Sequence, residues 1–232
     1  VPKNELDDFT LFIEVKEQID KKRDQFTPLL PQYIQKKEES LQIIAIIKQK
    51  FGNVTSEELS KIEPKDDLEK YIVQVGVEIL NNPDQYLNEI DEGIDYLSSY
   101  LNYYINPEFN SRKIIGDNPS DFSDKYYGNN DVKGPDALHG THVAGIIGAV
   151  RNNNIGMNGV ADNVEIMSVR TVPDGDERDK DVALAIRYAV DNGASIINMS
   201  FGKGYSPNAK EVYEAIKYAE SKDVLLVHAA GN

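Results

Sequence analysis

The chain has 232 residues, a formal net charge of −14, 40% hydrophobic and 28% charged residues, and no cysteine. That is enough for one large or two small globular domains. The acidic balance argues against nucleic acid or an anionic membrane surface as a partner, and the lack of cysteine removes disulfide, thiol-redox and cysteine-metal chemistry. No apolar run is long enough to span a membrane.

Residues 1–105 read as all-helical. Phe9, Phe12 or Ile13, and Ile19 mark a first helix that stops before Phe26-Thr27-Pro28. Pro31 suits the first position of a second helix, with Ile34, Leu41, Ile44, Ile47 and Phe51 on one face. Thr55 followed by Glu58 is a capping box for a short helix that ends near Pro64. Leu68, Tyr71, Ile72, Val75, Ile79 and Leu80 form another stripe. Asn82-Pro83-Asp84 then opens a long helix whose Leu87, Ile90, Ile94, Leu97, Leu101 and Tyr104 make a coiled-coil-like seam. These stripes are read as core. The neighbouring carboxylates Asp7/Asp8, Asp66/Asp67 and Asp91/Glu92 do not face each other on a helix, so they are no acid/base dyads.

A second region, 106–232, begins at Asn106-Pro107. Arg112 to Gly116 is read as a short strand, and 117–136 as an aspartate-rich loop, solvated or cation-binding. From Leu138 the pattern alternates. A small-residue helix carries Gly140, Ala144, Gly145 and Gly148. Strands are expected at Val164–Arg170, Ser195–Met199 and Val224–Val227, with helices at Asp181–Val190 and Ala209–Ser221 between them. Continuous apolar strands separated by helices predict a doubly wound parallel sheet covered on both faces, with active groups at the carboxyl ends of its strands.

His139 opens the small-residue helix, where the positive end of the helix dipole favours a neutral imidazole, as suits a general base. A capping or packing histidine is the plainer alternative. His142, one turn later, fits either a metal pair with His139 or a hydrogen-bonded structural role, and His228 is read as a core histidine of a buried strand. The His-Glu-x-x-His helix of a zinc hydrolase is absent from the sequence.

Three stretches in order carry a family likeness: His139-Gly140-Thr141-His142-Val143-Ala144-Gly145, Ile197-Asn198-Met199-Ser200-Phe201-Gly202 and Ala229-Ala230-Gly231-Asn232. Over roughly residues 110–232 the sequence resembles the subtilisin-like serine proteases, the subtilases. The resemblance implies a partial subtilisin-like α/β domain and hydrolysis of peptide bonds by a Ser/His/Asp triad in peptide or protein substrates. It makes His139 the general base and Asn232 the oxyanion donor, and it makes Ser200, Phe201 and Gly202 the strand that pairs with substrate. The loop from Asp174 to Glu177 would form the opposite edge of the cleft. Arg151 to Val160 resembles the family's calcium loop, which implies Ca²⁺ held by the Asn153 side chain and the carbonyls of Arg151, Ile155 and Met157, hard oxygen donors of the kind calcium prefers.

Two parts of that machinery have no match here. No Gly-Thr-Ser nucleophile motif and no Asp-Ser-Gly or Asp-Thr-Gly tripeptide occurs in the sequence. The 1–105 region is therefore read as an insertion between the triad aspartate and His139, in preference to a prosegment, and this chain alone as inactive. The rival reading is a non-catalytic pseudoprotease or binding module that recruits a partner through its helical layer. A start at Val1 without a signal peptide suggests a processed or excised piece, and the likeness suggests export from a bacterium. Apolar strands without cover are expected to leave exposed sheet edges and a tendency to self-associate.

Overall fold

The computed structural model describes residues 3–173, 175 and 177–231, with side chains from residue 9 onward. The chain divides into two compact units, Val1–Phe109 and Asn110–Asn232. No described helix is long and apolar enough to cross a membrane.

Every regular element among the described residues of the first unit is helical: α1 (Lys3–Phe26), α2 (Leu29–Phe51), α3 (Ser56–Ser60), α4 (Asp67–Asn81) and α5 (Pro83–Ser99), which runs on as a π-helical turn, Tyr100–Tyr104. Local chemistry sets the boundaries. At Thr55 both arms of the capping box form: the Thr55 N–H donates to Glu58 Oε2 at 2.8 Å, and the Glu58 N–H donates to Thr55 Oγ1 at 3.2 Å. Asp66 accepts the Glu69 N–H at 2.7 Å and so caps α4. Pro83 is the first residue of α5, as read from sequence, but Pro31 is the third residue of α2. That shift is harmless, because no N–H of the first helical turn has an intrahelical partner.

The core of this unit is Ile43, Ile47, Leu59, Ile72, Val73 and Ile79, contributed by α2, α3 and α4. Along α5 the seam is buried at Ile90 and Leu97, while Tyr104 stands exposed. The one buried acid of the core region, Glu69, accepts the Lys65 N–H at 2.6 Å and lies 3.0 Å from Lys50 Nζ. The Lys65 backbone bond, followed by Lys50, holds its carboxyl below the usual range. It is a satisfied structural group.

The second unit is mixed, with α6 (Arg112–Ile115), α7 (Leu138–Gly148), α8 (Asp179–Asp191), β1 (Ile196–Met199), α9 (Ala209–Ser221) and β2 (Leu225–His228). β1 and β2 pair in parallel, Ile196 opposite Leu225 and Met199 opposite His228, with α9 as the crossover that parallel pairing requires. α8 and α9 pack through Val182, Ala183, Ile186, Val190, Ala215 and Ala219 onto Met199, Ile197 and Leu226.

Three expectations are corrected here. Arg112–Gly116 is a turn of helix, closed by the Gly116 N–H on Arg112 O at 2.8 Å, with Gly116 at φ 83° as its left-handed cap. Its β-branched Ile114 and Ile115 stay exposed, because no strand lies beside them to pair with. Val164–Arg170 likewise forms no strand. Its apolar run lies against α7, where Val164 Cγ2 would sit 2.9 Å from a Cβ placed on Gly148. As expected of strands without their full cover, Ile196, Leu225 and Val227 on one face of the sheet are 64%, 59% and 47% exposed. His228, finally, is exposed rather than buried.

The chain leaving α7 loops back on the end of that helix. The N–H groups of Gly159, Val160 and Ala161 bond to the carbonyls of Ala149, Ile146 and Ile147 at 3.1, 2.9 and 2.9 Å. A Cβ on Gly159 would lie 2.4 Å from the Ala149 nitrogen and 2.7 Å from the Gly148 carbonyl carbon, both backbone atoms that cannot swing aside. Gly159→Ala is expected to destabilise the chain by about 1–3 kcal/mol, read as a lower urea midpoint. An unaltered midpoint would mean that the return past α7 tolerates a side chain.

Candidate active site

His139 is the second residue of α7, exposed at the helix start. The Asp136 carboxylate accepts the Leu138 N–H at 2.8 Å and so fixes the turn into the helix. No residue of α7 is buried, and a Cβ on Gly140 or Gly145 would meet nothing within 4 Å. The imidazole is therefore presented from a smooth, open surface. His142 lies one turn on, also exposed. No three metal-ligating His, Asp or Glu side chains converge among the described residues.

The expected substrate stretch follows the end of β1. Ser200 Oγ accepts from Asn198 Nδ2 at 2.9 Å. Phe201 packs onto the α8/α9 core and meets the His228 ring edge-on at a centroid distance of 6.3 Å. Gly202 is exposed, and its N–H donates to Glu177 Oε1 at 3.3 Å. Register explains His228: it shares the inner sheet face with Ile197, Met199 and Leu226 but stands at the open end, beside Phe201. Asn232 lies outside the described residues, as do Asp174 and Asp176 of the opposing loop.

In the 151–158 loop, Asn152 and Asn154 adopt φ of 59° and 62°, a conformation that asparagine tolerates better than most residues. Asn153 Oδ1 accepts the Ile155 N–H at 3.0 Å, and Asn158 Oδ1 accepts the Asn152 N–H at 2.9 Å. An amide oxygen has two lone pairs, so Asn153 retains one for a cation. The donor set fits Ca²⁺ in kind, as hard oxygens, though all four donors are neutral. In the 117–136 loop some aspartates bond the loop's own backbone: Asp131 accepts from the N–H groups of Lys133 and Gly134, and Asp124 from that of Asn118.

The first turn of α8, Asp179-Lys180-Asp181, carries the most connected polar groups of this unit, and sequence reading passed over it. Lys180 Nζ reaches Asp117 Oδ2 at 3.0 Å and Asn118 O at 2.6 Å. Asp181 takes a forked contact from Arg112, at 3.1 and 2.5 Å, and the Tyr127 hydroxyl at 2.6 Å. Burial, then the Asp181 carboxylate, pushes the Tyr127 phenol well up. Asp179 turns toward the loop after β1. The only hint in the sequence was three alternating charges at a helix start.

This unit is helix-rich α/β with a small parallel sheet. The model of the subtilase family, peptidase S8, matches residues 87–232, and the chain belongs to that family. Among its relatives, the thermophilic serine proteinase of Bacillus sp. (strain AK1) is 38% identical over 149 residues, 64% of this chain and 33% of that protein. Thermitase of Thermoactinomyces vulgaris is 40% identical over 95 residues, 40% of this chain and 33% of thermitase. The cell wall-associated protease of Bacillus subtilis (strain 168) is 40% identical over 87 residues, 37% of this chain and 10% of the relative. The matched stretch is thus a third or less of each of these relatives. No solved structure matches the chain.

Proposed function

We propose that this chain is the histidine-bearing and substrate-pairing part of a serine endopeptidase. The observation that carries the reading is the family match over 87–232, which spans His139, Ser200 to Gly202 and Asn232 together. His139, exposed at a helix start, takes the proton of a serine hydroxyl and returns it to the leaving amine. The Asn232 side chain donates to the oxyanion. Ser200, Phe201 and Gly202 pair with an extended peptide in the manner of an added strand. The serine and the triad aspartate come from sequence beyond these 232 residues, with 1–105 inserted between that aspartate and His139. There further strands extend β1 and β2 into a doubly wound sheet, and helices cover its exposed face.

Where Ca²⁺ binds, the Asn153 side chain and the carbonyls of Arg151, Ile155 and Met157 hold it, and it braces the loop after α7. The name of one relative, the cell wall-associated protease of Bacillus subtilis, supports export of the full-length protein.

The full-length protein is expected to hydrolyse a chromogenic peptide, with activity abolished by a serine-directed reagent. The 232-residue chain by itself is expected to show no turnover. Serine-dependent turnover by the 232 residues alone would overturn the division of the triad. A full-length protein that binds peptides but never cleaves them would be a binding module instead.

A further inference from the structure

Asp179, the first residue of α8, is 4% exposed. A carboxylate so placed is tolerated only with partners, and among the described residues its partners Lys203, Ser206 and Asn208 lie in the segment after the substrate stretch. Its Oδ1 accepts from Ser206 Oγ at 2.8 Å and lies 2.9 Å from Lys203 Nζ. Its Oδ2 accepts the Asn208 N–H at 2.7 Å, and Asn208 is the residue that opens α9. Lys203 in turn donates to the Glu177 carbonyl at 2.5 Å. Burial pushes the Asp179 carboxyl up, but bonds from Lys203, the Asn208 N–H and Ser206 outweigh it and hold the group below the usual range. It is charged at neutral pH.

Between the end of β1 and Ser206 the backbone has little support of its own. Among the described residues, 200–204 make no backbone–backbone hydrogen bond. The segment is held by the β1/β2 ladder before it, by Phe201 on the α8/α9 core and the Gly202 N–H on Glu177 Oε1 within it, and by the Asp179 carboxylate immediately after Gly202. Lys203 immediately follows Gly202, so the anchor acts one residue from the groups that face substrate.

We infer that Asp179 is a positioning residue for substrate recognition: through Lys203, Ser206 and Asn208 it fixes the backbone of Ser200, Phe201 and Gly202 in the course that an extended peptide pairs with. The inference rests on the protease reading above. It assigns Asp179 a role that depends on substrate length. A peptide covering several residues before the scissile bond uses the whole strand, whereas a single-residue ester uses little of it.

The test is made on the full-length protein with Asp179→Asn, Lys203→Gln and the double variant, each assayed on a tetrapeptide anilide and on a single-residue ester. Asn keeps an acceptor for Ser206 and Asn208 but cannot pair with Lys203. The ratio of kcat/KM for the tetrapeptide to that for the ester is expected to fall about ten- to a hundredfold in either single variant, mostly through KM. The double variant is expected to be no worse than the poorer single one, because both remove the same contact. Lys203 is less deeply buried than Asp179, so its variant carries the test if Asp179→Asn does not fold. A parallel fall on both substrates, or an unaltered ratio, overturns the positioning role while leaving the protease reading intact. A wild-type protein without serine-dependent turnover overturns the protease reading, and this inference with it.

Discussion

His139→Ala in the full-length protein is expected to lower kcat for peptide hydrolysis by about a millionfold, the scale on which a Ser/His/Asp triad fails once its base is gone. The loss should sit in kcat, with KM little altered, because the imidazole acts on the proton in flight and not on the bound peptide. Stability should move by less than about 0.5 kcal/mol. His139 is exposed at the second position of α7, so its removal opens no cavity, and alanine is the better helix former. Activity assays and thermal unfolding on the same preparations separate the two effects. A loss of activity that tracks a loss of fold would count against the assignment. Full activity in His139→Ala would move the base elsewhere, and His142, one turn along the same exposed helix, would be the next residue to replace.

What could be read from the sequence divides along a physical line. Helices are specified by contacts three and four residues apart, so α9 was read at its full extent, Ala209–Ser221, and the Thr55–Glu58 box located α3. Strands are specified by a neighbour that the sequence does not name. Ser195–Met199 and Val224–Val227 found each other, while the equally apolar Val164–Arg170 found no strand among the described residues and lies as irregular chain. Burial misled for the same reason. His228 follows an apolar run, but whether a strand residue is covered depends on what lies across the sheet face, and Phe201 and Gly202 beside His228 leave it exposed. The motif residues were legible because their chemistry is written locally. The anchors of the site were not, since Arg112 meets Asp181 and Lys180 meets Asp117 across 69 and 63 residues of chain.

That long-range cluster leads to the second large effect. Asp117→Ala is expected to destabilise the chain by about 3–5 kcal/mol, a large part of the roughly 5–15 kcal/mol that holds a typical domain together. The Asp117 side chain has no exposure and faces two cations, Arg112 and Lys180, which are only 7% and 3% exposed. Its loss leaves Arg112 with Asp181, which Tyr127 already engages, and Lys180 with the Asn118 carbonyl and the part-exposed Asp124, 3.6 Å away. Arg112 Nε is already without a partner among the described residues, so the cluster has no spare acceptor. The pH dependence follows from the direction of the shift. Burial pushes the Asp117 carboxyl up, but Lys180 and Arg112 outweigh it and hold the group below its ordinary 3.8. Its contribution is therefore fully present above about pH 4 and is lost as the pH falls through the lower folded-state value. Asp179 is shifted the same way, so the diagnostic quantity is the difference between wild type and variant. Urea midpoints from pH 7 to pH 3 should show Asp117→Asn well below wild type at neutrality and the two curves converging in acid. Curves that stay parallel to pH 3 would mean that the Asp117 charge contributes nothing and that the cluster is held by hydrogen-bond geometry alone.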